Sequence, residues 1–328
     1  MRPFTYTSAT NKEQALQAST RTSHYLAGGT NLVDLMKEDV ERPDQLIDVN
    51  KLDYKKITSN ENGGLTLGAM LSNSETANHP EVKTKYPLLS MAMLSAASVQ
   101  IRNMASNGGN LLQRTRCPYF FETSMPCNKR EPGSGCGALK GMNALHAIFG
   151  YSDSCIATNP SDMCVALAAI GATVEVQQPD GSSRMIEFTD FHRLPGDQPE
   201  KDTTLMQGEL ITAILLPKPE FSDHYYYLKI RERSSYAFAL VSVAAGLQVN
   251  SGVISKAGLA MGSVAHKPWK LSKAEEFLTG KKPTTENFEA AAALEMKDAK
   301  PFEGNKYKVE MGKNAIVRAL TQAYEREV

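Results

Sequence analysis

Every cysteine of this chain falls between Cys117 and Cys164, although the chain runs to 328 residues. Cys117, Cys127, Cys136 and Cys155 stand in a stretch that also holds Pro118, Pro126, Pro132, Gly133, Gly135 and Gly137. Proline and glycine disfavour regular helix and strand, so the stretch is expected to be loop. A long irregular loop is uncommon inside a compact domain unless something ties it down. Thiolates gathered on one metal centre would do so, and their spacing bears on which centre. Structural zinc sites normally use close C-x2–4-C pairs, and the chain has none. Wide, irregular spacing suits a cubane iron–sulfur cluster, which takes four thiolates. Cys117, Cys127, Cys136 and Cys155 are therefore the expected ligands of one [4Fe-4S] cluster. Cys164 lies in the apolar run Met163-Cys164-Val165-Ala166-Leu167, where a thiol serves as a small hydrophobe, and is left out. A disulfide framework ranks lower, because the cysteine count is odd and the chain is long enough to bury a core without staples. Arg114, Arg116, Lys129 and Arg130 are expected to offset the charge of a tetrathiolate centre.

Two glycine pairs precede this stretch. In Leu26-Ala27-Gly28-Gly29-Thr30-Asn31-Leu32 a short strand runs through the glycines into a helix. Such a turn leaves backbone N–H groups on a concave surface, and glycine lets a phosphate approach them. The pattern is neither G-x-G-x-x-G nor a Walker loop. A plain tight turn with a Thr or Asn cap is the competing reading. The second pair sits in Gln100-Ile101-Arg102-Asn103-Met104-Ala105-Ser106-Asn107-Gly108-Gly109-Asn110. Two such loops favour a ligand with two phosphates, or a phosphate and a sugar. Asn159-Pro160-Ser161-Asp162 opens a further helix; Asp162 is expected to cap it, although a carboxylate can also bind a ribityl or ribose hydroxyl pair. Lys229, or an aromatic residue of the strand Tyr225-Tyr226-Tyr227-Leu228-Lys229, could face a bound ring; the competing reading is an edge strand with aromatic cross-strand packing. The six histidines form no H-x-x-x-H or H-E-x-x-H pattern.

Thirty-six basic residues balance thirty-six acidic ones, which gives no support for nucleic-acid binding. No apolar run approaches the ~20 residues of a spanning helix, so no membrane insertion is expected. The first residues lack the apolar core of a secretory signal, so the chain reads as cytoplasmic by itself.

Periodicity divides the chain into an α/β unit over 1–55, a second unit over 56–217 that carries the cysteine loop at 113–156, and a C-terminal unit over 222–328. In the last unit three strand candidates (Tyr225 to Arg231, Ala239 to Val249, Gly252 to Gly262) precede three helices, an α+β order.

The ordered set Ala27-Gly28-Gly29-Thr30-Asn31, Gln100-Ile101-Arg102-Asn103 to Gly108-Gly109-Asn110, and Pro160-Ser161-Asp162 resembles the FAD-binding subunits of molybdenum hydroxylases. The likeness runs on to Gly262-Ser263-Val264-Ala265-His266-Lys267-Pro268-Trp269. Within that family, the cysteine insertion and Ser235-Tyr236-Ala237-Phe238-Ala239 are most similar to the [4Fe-4S]-containing FAD subunits of bacterial periplasmic aromatic-aldehyde oxidoreductases. The resemblance implies a two-part FAD-binding domain of the molybdenum-hydroxylase/vanillyl-alcohol-oxidase type plus a smaller C-terminal α+β domain. It implies FAD contacts from His24, Tyr25, Leu26, Ala27, Gly28, Gly29, Thr30, Asn31, Leu32, Ser106, Gly109, Asn110, Asp162 and Lys229. Cluster ligation by Cys117, Cys127, Cys136 and Cys155 follows from it as well. It further implies a large subunit with the molybdenum cofactor that oxidises aldehyde to carboxylic acid, a [2Fe-2S] small subunit that feeds FAD, and an external electron acceptor. No catalytic acid or base is expected in this chain. A periplasmic address would come through a partner's twin-arginine signal. A hydroxybenzoyl-CoA reductase-type subunit and a non-redox zinc-loop protein are the alternatives.

Overall fold

The computed structural model describes residues 1–326 and contains three sheets. The first is parallel: β1 (Thr5–Ser8) and β2 (Ser23–Leu26) both pair with a central β3 (Gln45–Asp48). The helices Lys12–Ala18 and Leu32–Lys37 make the crossovers, as parallel pairing requires. β1 was not legible, because Thr5-Tyr6-Thr7-Ser8 carries almost no apolar signal.

The second sheet comprises β4 (Ile57–Ser59), β5 (Leu65–Gly68), β6 (Thr173–Gln177), β7 (Ser183–Glu187) and β8 (Leu210–Leu215). Its order is β4-β5-β8-β6-β7. The expected hairpin over Ala172 to Phe188 forms as β6–β7. The third sheet holds β9 (His224–Ile230), β10 (Val241–Asn250), β11 (Val253–Gly262) and β12 (Trp269–Lys270). The two-residue β12 adds to the three strands expected, and β9 lies at the opposite edge. The helices Ser272–Leu278, Thr285–Met296 and Tyr307–Tyr324 follow. No helix among the described residues is long and apolar enough to cross a membrane.

The helix Asp162–Ile170 is buried along nearly its whole length. Its apolar residues share one core with Leu65, Leu67 and Ile214 of the second sheet and with Tyr227, Ala244 and Ala260 of the third. This helix therefore fixes the second sheet against the third. Cys164 sits on it fully buried, and burial pushes its thiol up to about 12; it is a core residue.

Candidate functional site

A cavity of about 1330 Å³ opens where the first two sheets meet β9. Every residue from His24 to Leu32 lines it, together with Ser106, Gly109, Asn110, Asp162 and Lys229. The fourteen positions expected to contact a flavin thus share one cavity, although they come from four separate segments.

The first glycine pair is built to expose its backbone. Gly29 has φ +71°, a left-handed conformation that turns the chain from β2 into the helix Leu32–Lys37. Gly28 passes so close to the end of the neighbouring helix that a Cβ would lie 1.8 Å from the Met104 carbonyl oxygen. Among the described residues, the N–H groups of Gly28, Gly29, Thr30 and Asn31 have no partner within the chain. The Asn31 side chain accepts a hydrogen bond from the Arg114 backbone at 2.9 Å through Oδ1, while its buried Nδ2 is unpartnered. His24 adds a buried, unpartnered Nδ1. Burial pulls the His24 pKa down against the opposing pull of Glu41, whose carboxylate lies 3.6 Å from Nε2.

The second glycine pair is spent internally. The Asn107 N–H donates to Leu71 O (2.9 Å), Gly108 to Ala69 O (2.8 Å), Gly109 to Ser106 Oγ (3.1 Å) and Asn110 to Ser106 O (2.9 Å). The Asn110 side chain is committed too: Nδ2 donates to Asn73 Oδ1 at 2.6 Å, and Oδ1 accepts from Ser161 (2.6 Å) and Gln113 (2.8 Å). Of the two readings, two phosphates or a phosphate and a sugar, the hydrogen bonding favours a single loop of free amides, at the first pair. The second segment forms a wall of the cavity held by a buried polar network, and it offers no row of free amides.

A correction concerns Asp162. Ser161 caps the helix, accepting from the Cys164 N–H at 3.1 Å. Asp162, one residue into the helix, is released from that duty. Its Oδ1 accepts from the Tyr227 hydroxyl at 2.7 Å and its Oδ2 from Lys229 Nζ at 2.7 Å. Lys229 also donates to Ser95 O at 3.1 Å. All three side chains are buried. Burial and the adjacent Asp162 carboxylate hold the Tyr227 hydroxyl well above the usual phenol range, so it stays a donor. Tyr227 was missed from the sequence. The available signal was strand alternation, which puts it on the same face as Lys229, two residues on.

The four expected ligand thiols lie in one neighbourhood of the fold without forming a tight group. Cys127 and Cys136 form an isolated β-bridge. Burial pushes the Cys117 thiol up to about 12, with Cys127 and Cys155 close enough to add to the effect. Burial likewise pushes Cys155 to about 11, against Lys129, with Cys136 and Cys127 beside it. No three His, Cys, Asp or Glu side chains among the described residues gather tightly enough to hold a single ion. A cubane takes its thiolates at four outer corners, farther apart than the ligands of one metal ion. Leu35 joins the two sites: it lines the cavity and packs in one apolar group with Phe120 and Cys127.

Of the loop cations, Lys129 lies near enough to Cys155 to oppose the rise of its thiol, and all four also have partners outside the thiol group. Arg114 is buried between Glu41 and Asp202, whose carboxylates raise its pKa against the cost of burial. Lys129 donates to Asp202 (2.5 Å) and to Pro199 O (2.7 Å). Arg130 is taken up by the carbonyls of Tyr119 and Phe120, both at 2.8 Å. Arg116 lies over the Phe238 ring at 5.0 Å and 3.7 Å from Asp34. Buried cations need carboxylate or carbonyl partners; those of Arg114 and Lys129 come from segments remote in sequence, those of Arg130 from the loop itself.

Residues 2–219 match the family described as "FAD binding domain in molybdopterin dehydrogenase", and residues 226–323 match "CO dehydrogenase flavoprotein C-terminal domain". The chain belongs to the FAD-binding subunits of the molybdenum hydroxylases, a family of oxidoreductases. It is 44% identical over 325 residues to the aldehyde oxidoreductase FAD-binding subunit PaoB of Escherichia coli K12, covering 98% of this chain and 99% of the relative. It is 24% identical to the carbon monoxide dehydrogenase medium chain of Afipia carboxidovorans, over 92% of this chain and 88% of that one. Its fold matches the carbon monoxide dehydrogenase structure from Hydrogenophaga pseudoflava with a TM-score of 0.77 at 22% identity, over 100% of this chain and 99% of that one. The cavity fits the family's cofactor: unpartnered amides at Gly28–Asn31 suit a pyrophosphate, and the volume suits a ligand larger than the usual small-molecule pocket admits.

Proposed function

We propose that this chain is the FAD- and [4Fe-4S]-carrying electron-transfer subunit of a three-subunit, molybdenum-dependent aldehyde oxidoreductase. The observation that carries this reading is the placing of Cys117, Cys127, Cys136 and Cys155 in one neighbourhood, on a loop tied to the cavity through Asn31 and Leu35. The end-to-end likeness to an aldehyde oxidoreductase subunit supports the substrate class. FAD and the cluster, when bound, supply the electron-transfer chemistry. This chain's residues hold and orient them. Amides of Gly28 to Asn31 and Nδ2 of Asn31 would take the pyrophosphate, and the Asp162–Lys229 pair presents a fixed polar wall. The cysteine thiols would release their protons to solvent on ligating iron, a loss that burial makes costly at Cys117 and Cys155 unless a metal compensates. A molybdenum-cofactor subunit would oxidise the aldehyde, and a [2Fe-2S] subunit would pass electrons to this chain and on to an external acceptor. Export to the periplasm would rely on a partner's twin-arginine signal.

Purified complex should show flavin absorption, broad iron–sulfur absorption and four irons assignable to this subunit by the Cys-to-Ser series. Single Cys→Ser changes at 117, 127, 136 and 155 should each abolish the cluster, whereas Cys164→Ser should retain it. Protein containing zinc, with neither chromophore, would sink the redox reading.

A further inference from the structure

The loop's own cations have partners outside the thiol group, yet one polar side chain touches a proposed ligand directly. His146 Nε2 lies 3.1 Å from Cys117 Sγ. The ring is mostly enclosed, and its Nδ1 is buried without a partner.

The backbone of His146 is held from both sides. Its N–H donates to Asn143 O at 3.1 Å. Its carbonyl accepts from Asn305 Nδ2 at 3.1 Å and from Lys308 Nζ at 3.0 Å. Lys308 donates in addition to Ser263 O at 2.7 Å. Asn305 and Lys308 are both fully buried, and both belong to the C-terminal domain. The C-terminal domain therefore fixes the point from which the imidazole reaches the cysteine loop. Burying a lysine without a carboxylate partner is costly, and here its hydrogen bonds go to backbone carbonyls at this point of the fold.

We propose that His146 is a positioning residue for the cluster: its Nε2–H donates to the Cys117 sulfur and raises the cluster's reduction potential. The inference rests on the cluster reading above. A sulfur bound to iron has no proton, so the proton shared between Cys117 and His146 must sit on Nε2. A hydrogen bond to a cluster sulfur draws off electron density and stabilises the reduced form, one of the levers that set such potentials.

An EPR-monitored redox titration of the assembled complex tests this. His146→Leu should lower the cluster midpoint with the flavin potential unchanged. A tenfold change in the one-electron equilibrium corresponds to 59 mV, and a shift of that order is expected. His146→Gln, which keeps an N–H donor, should fall between the two. An unchanged midpoint in a His146→Leu complex with full iron content would overturn the proposal. If both variants lose iron, pulsed EPR on reduced wild-type complex carrying ¹⁵N-histidine decides. A weak nitrogen coupling is expected; no coupling, or one as large as a direct iron ligand gives, overturns it. Wild-type complex without iron and acid-labile sulfide would instead defeat the cluster reading itself.

Discussion

At Gly28-Gly29 the backbone N–H groups are left without partners, whereas at Gly108-Gly109 they are taken by Ala69 O and Ser106 Oγ. Both pairs line the same cavity. The dipeptide is the same, and the surroundings decide its use. The first pair follows a strand and bends through a left-handed glycine, so its amides point into open space. The second pair follows a capping serine and begins a short helix against β8, so its amides meet carbonyl and hydroxyl oxygens at once. Gly-Gly alone thus marks close approach of something. Only the location of each hydrogen bond tells whether that something is a ligand or the protein itself.

The sharpest way to break this contrast is to put a side chain at each pair. A Cβ at Gly28 collides with backbone at 1.8 Å, and backbone cannot swing aside. Gly28→Val should therefore lose flavin affinity by at least roughly tenfold, the effect of only ~1.4 kcal/mol. Gly109→Ala meets only the Ser106 hydroxyl at 3.0 Å, so it should keep most of its flavin. Flavin released per mole of purified complex measures both. Equal losses would mean that the two pairs contact the cofactor alike.

A second test falls on the Asp162–Lys229 wall of the same cavity. Asp162→Ala would leave the Lys229 ammonium buried with only Ser95 O beside it. Removing one partner of a buried pair typically costs about 3–5 kcal/mol, and a loss of that order is expected in urea unfolding of the complex. Asp162→Asn keeps one acceptor oxygen for Lys229 and turns an amide N–H toward the Tyr227 oxygen, so it should lose less. If the two variants unfold alike, the carboxylate charge rather than the presence of a polar side chain is what holds the pair.

How much of this could be read in advance follows the same division. Local features were legible: the turn from β2 into its helix, the strand pattern that carries Lys229, and the loop that carries four cysteines. Partners far away in sequence were not. The four loop cations looked like counter-charges for a metal centre, but Glu41 and Asp202 claim Arg114, and Asp202 also claims Lys129. Nothing in the spacing of a cation announces a carboxylate many tens of residues distant. Asp162 looked like a cap, yet Ser161 does the capping, because a hydroxyl one position earlier reaches the Cys164 N–H. Asn73 and His146 went unnoticed for a related reason. Each acts through contacts set by tertiary packing, Asn73 with Asn110 and Asn107 and His146 with Cys117, and neither belongs to a periodic pattern.

Ser106 gives the finest test, because both readings claim it. Its Oγ already accepts the Gly109 N–H as a helix cap, and a hydroxyl that accepts once can still donate its own proton to a ligand. If the serine serves only the wall, Ser106→Ala should cost about 1 kcal/mol of stability, the usual cost of losing a cap, with flavin content nearly unchanged. If it also donates to the flavin, the two losses should appear together, and Ser106→Thr, which keeps the hydroxyl, should recover both. Loss of flavin with stability intact would be the opposite of a wall residue's behaviour. It would move Ser106 from the spent side of the contrast to the side of Gly28 and Gly29.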